Sequence, residues 1–235
     1  MSEAWRPAAS LEVLQLRARM RARVRTFLEA TDTLEVETPM LSSAAPTEVH
    51  VHALDTPIRA LSATVMYLQT SPEFPMKRLL AAGVGDCWQL ARAFRDGERG
   101  RYHHPEFELL EWYRVDADHH ELMDDVEALV AAAIGPEVGA PPAQRWSYTG
   151  LFRAYCGLDP LTASTESIQE RLAQAGLEPM AGVSRADRSD MLDRLLSNAI
   201  VPYLPADRLT FVYDWPAEQA ALARLDPADE RVARR

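Results

Sequence analysis

Cysteine, glycine and positive charge are all scarce in this chain, and each shortage excludes something. Two cysteines in 235 residues, Cys87 and Cys156, cannot build a disulfide framework; they fit a reducing compartment, where both are expected as buried small apolar groups. Lysine and arginine number 25 against 35 aspartates and glutamates, a formal net charge of −10. Overall attraction therefore does not hold nucleic acid, although a local basic patch still could. With 10 glycines and 16 prolines, the chain is neither collagen-like nor low-complexity. No run approaches the roughly 18 consecutive apolar residues of a membrane span, and Met1–Pro7 lacks the basic-then-apolar layout of a signal peptide. A soluble, cytoplasmic protein is expected. Apolar residues at 47% and charged residues at 26% are ordinary for a globular chain of one large domain.

What is present organises itself along the chain. A helix is expected over Leu11–Ala30, with Ser10 as N-cap and an apolar stripe of Leu16, Met20, Val24 and Phe27. The arginines at 17, 19, 21, 23 and 25 fall mostly off that stripe and read as a solvated face. Leu34–Glu37 alternates like a strand ended by Pro39, Ser42–Pro46 is loop, and Thr47–Val51 and Ala63–Leu68 are short strands. A helix over Phe74–Ala82 is stopped by Gly83 and Gly85, strands follow at Cys87–Arg95 and Phe107–Arg114, and a helix at Glu121–Ile134. Gly135–Ala143 is the best linker candidate. Beyond it come helices at Tyr148–Tyr155, Glu166–Ala175 and Asp187–Ile200, a strand at Leu209–Tyr213 and a helical Pro216–Leu225. The class is α+β with an antiparallel sheet, because no strand–helix alternation is sustained.

Two strands carry the chemistry. Side chains alternate along a strand, so Gln89, Ala91, Ala93 and Arg95 share one face, and Phe107, Leu109, Glu111 and Tyr113 share one face of the next. Paired through the intervening loop, they present a cation, an aromatic plate, a carboxylate and a phenol together. Such groups suit a ligand with a phosphate, a planar base and an amine, since arginine offers a bidentate fork to phosphate and phenylalanine can stack on a base. The plain alternative is an amphipathic sheet with one ion pair. His50-x-His52 lacks a third ligand at a recognisable spacing, so no metal site is assigned there. His119-His120 reads as solvated, and Arg99, Arg101, His103 and His104 make a basic loop between the two strands.

Phe94-Arg95, a loop, then His103-His104-Pro105-Glu106-Phe107 and Leu110-Glu111-Trp112-Tyr113 resemble the second signature motif of class II aminoacyl-tRNA synthetases of the lysine group. Leu34–Pro39 resembles the first motif, whose proline lies at the dimer interface in that family, and Thr70-Ser71-Pro72-Glu73 with Met76-Lys77-Arg78-Leu79 resembles its amino-acid-binding segment. Within the group, the wording is most similar to the ligases that attach a lysine, preferably (R)-β-lysine, to elongation factor P. That resemblance implies an ATP-dependent ligase forming a lysyl-type adenylate and passing it to a lysine of elongation factor P, in a homodimer built through Leu11–Pro39. It implies that Arg95, Asp96, Gly97, His104 and Phe107 bind ATP. Ser71, Pro72 and Glu73 would hold the α-ammonium, and Glu111 and Tyr113 the distal amine. A lysyl-tRNA synthetase paralogue and a non-catalytic relative stay open, but tRNA is not an expected partner because no anticodon-binding barrel precedes Leu11.

Three positions depart from the family pattern: Gly97 where a glutamate is usual, with Glu98 adjacent, His104 for asparagine, and Asp32 for a turn glycine. The third, glycine-rich motif has no counterpart, since no glycine follows Gly182; Asp193-Arg194 and Asp207-Arg208 read as surface charges. The resemblance thus implies one catalytic domain over 1–235, with motifs one and two in 11–114 and a helical insertion over about 136–205. It also implies a chain that stops short of the family's C-terminal segment, where the Mg²⁺ ligands are expected.

Overall fold

The structure, a computed structural model, describes residues 5–48, 51–61, 64–177 and 188–235. The chain forms two compact units, Met1–Ala117 and Asp118–Arg235. The expected linker at Gly135–Ala143 lies inside the second unit, and the division falls before it.

In the first unit, helix α1 (Leu11–Ala30) starts where the Ser10 hydroxyl accepts the Val13 N–H at 3.3 Å. It ends at a turn in which Asp32 takes φ +57°, a left-handed conformation that aspartate tolerates better than most residues. Strand β1 (Leu34–Glu35) follows. Two antiparallel strands, β2 (Leu41–Ser42) and β4 (Thr64–Leu68), pair with each other, and β3 (Asp55–Ile58) pairs with β4 on its far side. Helix α2 spans Glu73–Ala81, and β5 (Cys87–Phe94) and β6 (Glu106–Tyr113) form the central ladder, with β1 added parallel to β5. The expected strand at Thr47–Val51 is not formed by Thr47, Glu48 or Val51, whereas Val49 and His50 lie outside the described residues. The strand forms later, at β3, where Pro57 is tolerated because β3 is an edge.

The arginine row of α1 is part-exposed, with Arg19 in solvent, but three of its members also pair with the sheet. Arg17 and Arg21 reach Glu108 of β6 at 2.7 and 3.4 Å, and Arg25 holds Glu35 at 2.8 Å with its guanidinium 5.8 Å from the Trp88 ring centroid. Glu108 and Trp88 both lie on the sheet face opposite Gln89 and Glu111. The helix therefore lays its arginine stems over this back face and pairs their heads with its carboxylates. Its apolar row is left outward: Leu11, Leu14, Leu16 and Met20 are exposed, and Leu28 is the only residue of α1 that is fully buried.

In the second unit, helix α3 (His119–Ile134) is opened by a capping box between Asp118 and Glu121. His119 is not solvated: it begins the helix, and its Nε2 lies 3.3 Å from Asp214, among the rings of His120 and Tyr213. Strand β7 (Ala143–Ser147) pairs parallel with β8 (Leu209–Tyr213) through a crossover carrying α4 (Tyr148–Cys156), α5 (Thr165–Gln174) and α6 (Arg188–Leu195). A parallel pair needs such a long connection; spread over more than fifty residues, it hides the strand–helix alternation whose apparent lack suggested an antiparallel sheet. After α6 the chain runs through a π-turn at Leu196–Ile200 into a short 3-10 turn containing Pro202. Tyr148, Leu151, Phe152, Ile168, Leu192, Leu195 and Ile200 form the core of this unit. Pro216–Leu225 is not a helix: Trp215–Pro216 (β9) pairs antiparallel with Val232–Ala233 (β10), followed by one 3-10 turn at Ala217–Gln219. Because a partner distant in sequence claims Pro216, local propensity does not decide this segment.

The turn after α1 is testable. Asp32→Val should destabilise the protein by about 1–2 kcal/mol, because a β-branched residue resists positive φ, while Asp32→Gly should be close to neutral. Denaturant unfolding of both variants checks this.

Candidate active site on the face of the central ladder

The ladder places Gln89 opposite Glu111, Ala91 opposite Leu109, Ala93 opposite Phe107 and Cys87 opposite Tyr113. Arg95 follows β5 directly, so the expected face is assembled: Arg95 and Phe107 at one end, Glu111 and Tyr113 at the other, small Ala91 and Ala93 between them. Three residues of β6, Glu108 to Leu110, separate Phe107 from Glu111.

At the cationic end, the Arg95 guanidinium carbon lies 5.1 Å from the Phe107 ring centroid. Its Nε–H donates to the Thr70 carbonyl at 3.2 Å, and one terminal nitrogen sits 3.6 Å from Glu98. The carbonyl fixes the plane of the fork, and most of its N–H donors remain for a ligand. Asp96 caps the following turn: its carboxylate accepts the Gly97 N–H at 2.8 Å, and Gly97 takes φ +78°. A glutamate at 97 would be strained in that conformation, so the usual family residue is incompatible with this turn as it stands. Glu98 supplies the neighbouring carboxylate. The exposed His104 ring hydrogen-bonds the Glu106 backbone through Nδ1 and serves the loop that carries Phe107.

At the other end, the Glu111 carboxylate is held on both oxygens. The Ser71 hydroxyl donates to one at 2.7 Å and the Tyr113 phenol to the other at 2.5 Å. Burial, reinforced by the bond to Glu111, pushes the Tyr113 phenol well above its ordinary pKa, so it stays a proton donor across the physiological range. Ser71 also accepts the Glu73 N–H at 3.1 Å at the start of α2, following Pro72, which is fully buried. Glu73 pairs with Lys77 one helical turn on, at 2.5 Å. Two carboxylates thus stand at this end, one held by neutral hydroxyls and one by a lysine.

Four contributors lie in segments the sequence marked, but carried no role of their own there. Thr70 acts through its carbonyl, which no sequence pattern signals. Lys77 is legible as an i,i+4 partner of Glu73. Gln89 sits on the site face by strand alternation and is buried, and Thr38 bonds it from 51 residues away at 2.9 Å. Beside the face, a separate cleft of about 470 Å³ runs between the Pro39–Thr47 segment, β4 and α2; it shares only Thr70 and Ser71 with the groups just described.

The arrangement separates two recognition tasks, so variants should separate too. Arg95→Lys keeps the charge and loses the fork; nucleotide affinity should fall about tenfold, with lysine affinity nearly unchanged. Calorimetric titration with each ligand measures this, and equal losses for both would make Arg95 a structural residue.

With this geometry established, similarity to known proteins becomes informative. Residues 4–235 match the family of class II tRNA synthetases (D, K and N). Elongation factor P–(R)-β-lysine ligases of Vibrio cholerae and Salmonella gallinarum are 42% and 39% identical, each over 98% of this chain and 71% and 70% of their own lengths. The ligase of Vibrio parahaemolyticus is 41% identical over the whole chain and 72% of its own length. The chain belongs to the class II tRNA synthetase family of the D, K and N type, in its elongation factor P–(R)-β-lysine ligase branch.

Proposed function

We propose that this chain activates (R)-β-lysine with ATP and transfers the lysyl group to a lysine side chain of elongation factor P. The observation that carries the reading is the division of one sheet face into a phosphate-directed end and an ammonium-directed end. The names of relatives about 40% identical support the choice of substrate and acceptor. Arg95 and Phe107 take the α-phosphate and adenine, with Asp96, Gly97 and His104 shaping the loop beside them. Glu73, with Ser71 and Pro72, takes the ammonium nearer the carboxylate, and Glu111 with Tyr113 takes the distal one.

The chemistry suits these groups. The substrate carboxylate is already a nucleophile, so its oxygen attacks the α-phosphorus and pyrophosphate leaves, with no general base required. What is required is in-line placement and a cation where charge accumulates, which the Arg95 fork supplies. A neutral lysine amine of the acceptor then attacks the acyl carbon; an amide forms, AMP leaves and the amine proton is released. Among the described residues, no three or more His, Cys, Asp or Glu side chains gather as a metal cage, and no step is assigned to a metal ion. No helix among the described residues is long and apolar enough to cross a membrane, and the two free, buried cysteines support a cytoplasmic setting.

Pyrophosphate exchange dependent on (R)-β-lysine, followed by acyl transfer to elongation factor P and not to tRNA, is the expected outcome. Transfer to tRNA would favour a synthetase paralogue, and folded protein without exchange would favour a binding-only relative.

We also propose a homodimer through the Leu11–Pro39 region, supported by the outward apolar row of α1 together with exposed Leu34. Sedimentation should give a dimer at micromolar concentration, and Leu16→Glu with Met20→Glu should shift it to monomer. A wild-type monomer would overturn the proposal.

A further inference from the structure

Gln89 is a polar side chain, 5% exposed, in the middle of the site face. Its carbonyl oxygen accepts the Thr38 hydroxyl at 2.9 Å. Its amide nitrogen donates to no group among the described residues, yet it is not one of the interior polar atoms sealed off without a partner. Strand alternation turns the side chain toward the site face. A buried donor without a partner among the described residues, on the residue opposite a carboxylate, needs an account that neither the ladder nor the core supplies.

Its cross-strand partner is Glu111. Directly opposed residues have Cβ atoms roughly 4.5–5.5 Å apart, within reach of an amide-to-carboxylate hydrogen bond. A carboxylate offers about four acceptor positions; Ser71 and Tyr113 use one on each oxygen, which leaves room for a ligand ammonium and one more donor. Thr38 decides which end of the amide faces Glu111. With its hydroxyl on the carbonyl, the NH₂ end is turned to the site face; without it, the amide can rotate and present an oxygen to a carboxylate, an unfavourable contact.

We propose that Gln89 is a positioning residue for Glu111, turned and held by Thr38: in the loaded site its NH₂ group is the third donor that keeps the carboxylate aimed at the distal ammonium. Thr38 lies four residues beyond the start of β1, whose pairing with β5 already holds this segment to the ladder; the Thr38 hydroxyl adds the side-chain bond at the amine end. The inference rests on the reading that Glu111 receives the distal amine.

Calorimetric titration of Thr38→Val, Thr38→Ser and Glu111→Gln with (R)-β-lysine and separately with ATP tests it, with the thermal midpoint of each variant recorded. Glu111→Gln should weaken (R)-β-lysine by about tenfold or more. Thr38→Val keeps the side-chain shape, loses the hydroxyl, and should weaken (R)-β-lysine about three- to tenfold with ATP unchanged. Thr38→Ser restores a donor and should return affinity to within about twofold of wild type. If Glu111→Gln leaves (R)-β-lysine unaffected, the reading of Glu111 fails and the inference falls with it. If Glu111→Gln behaves as expected but Thr38→Val binds like wild type, or Thr38→Ser fails to restore what Thr38→Val loses, the inference alone is overturned. Equal losses of both ligands in Thr38→Val, in step with a lowered thermal midpoint, would likewise reduce the pair to a packing contact and overturn it.

Discussion

The antiparallel register between β5 and β6 is the constraint on which the rest of the site depends. It sets Gln89 against Glu111 and Ala93 against Phe107. Because side chains alternate with a period of two, a slip of one residue would turn Glu111 and Tyr113 to the back of the sheet. Both faces guard against that slip. On the back, Trp88 is fully buried and Glu108 is claimed by two arginines of α1; on the front, Glu111 is claimed by Ser71. A displaced register would strand a carboxylate and expose an indole together.

The two carboxylates at the amine end are stabilised differently, and the difference has chemical meaning. Glu111 is supported by hydroxyl donors and, among the described residues, has no cationic side chain paired with it, so its negative charge stays available to a cation. Glu73 already faces Lys77. A ligand ammonium arriving at Glu73 therefore shares a carboxylate, whereas one arriving at Glu111 finds an unneutralised charge. A pair as exposed as Glu73–Lys77 contributes little to stability, so its main consequence is to set the charge of this end.

Helix α1 shows how one element serves two surfaces. Its Arg17, Arg21 and Arg25 reach Glu108, Glu35 and the ring of Trp88. Its leucines and Met20 face outward in the upper half, the reverse of what an amphipathic helix on a single-chain core displays. The inversion is possible because arginine carries three methylenes beneath its charge, enough to cover an aromatic ring while the guanidinium reaches a carboxylate.

Much of this was legible in the sequence by itself. The limits of α1 with its Ser10 cap, the two long strands, α4 and β8 all followed from local periodicity and capping. So did the face shared by Arg95, Phe107, Glu111 and Tyr113, because strand alternation is a local rule. Motif wording added the nature of the ligands that face would meet. Tertiary structure alone decided the rest, and in each case the deciding partner was far away in the chain. Glu108 paired with Arg17 and Arg21 from some ninety residues off, Val232 took Pro216 out of a helix, Asp214 drew His119 from solvent, and Thr38 found Gln89. Periodicity reports which side of an element is apolar, and it is silent on which distant group will satisfy a charge or an amide; that choice is made only when the chain folds back and buried polar groups must find partners.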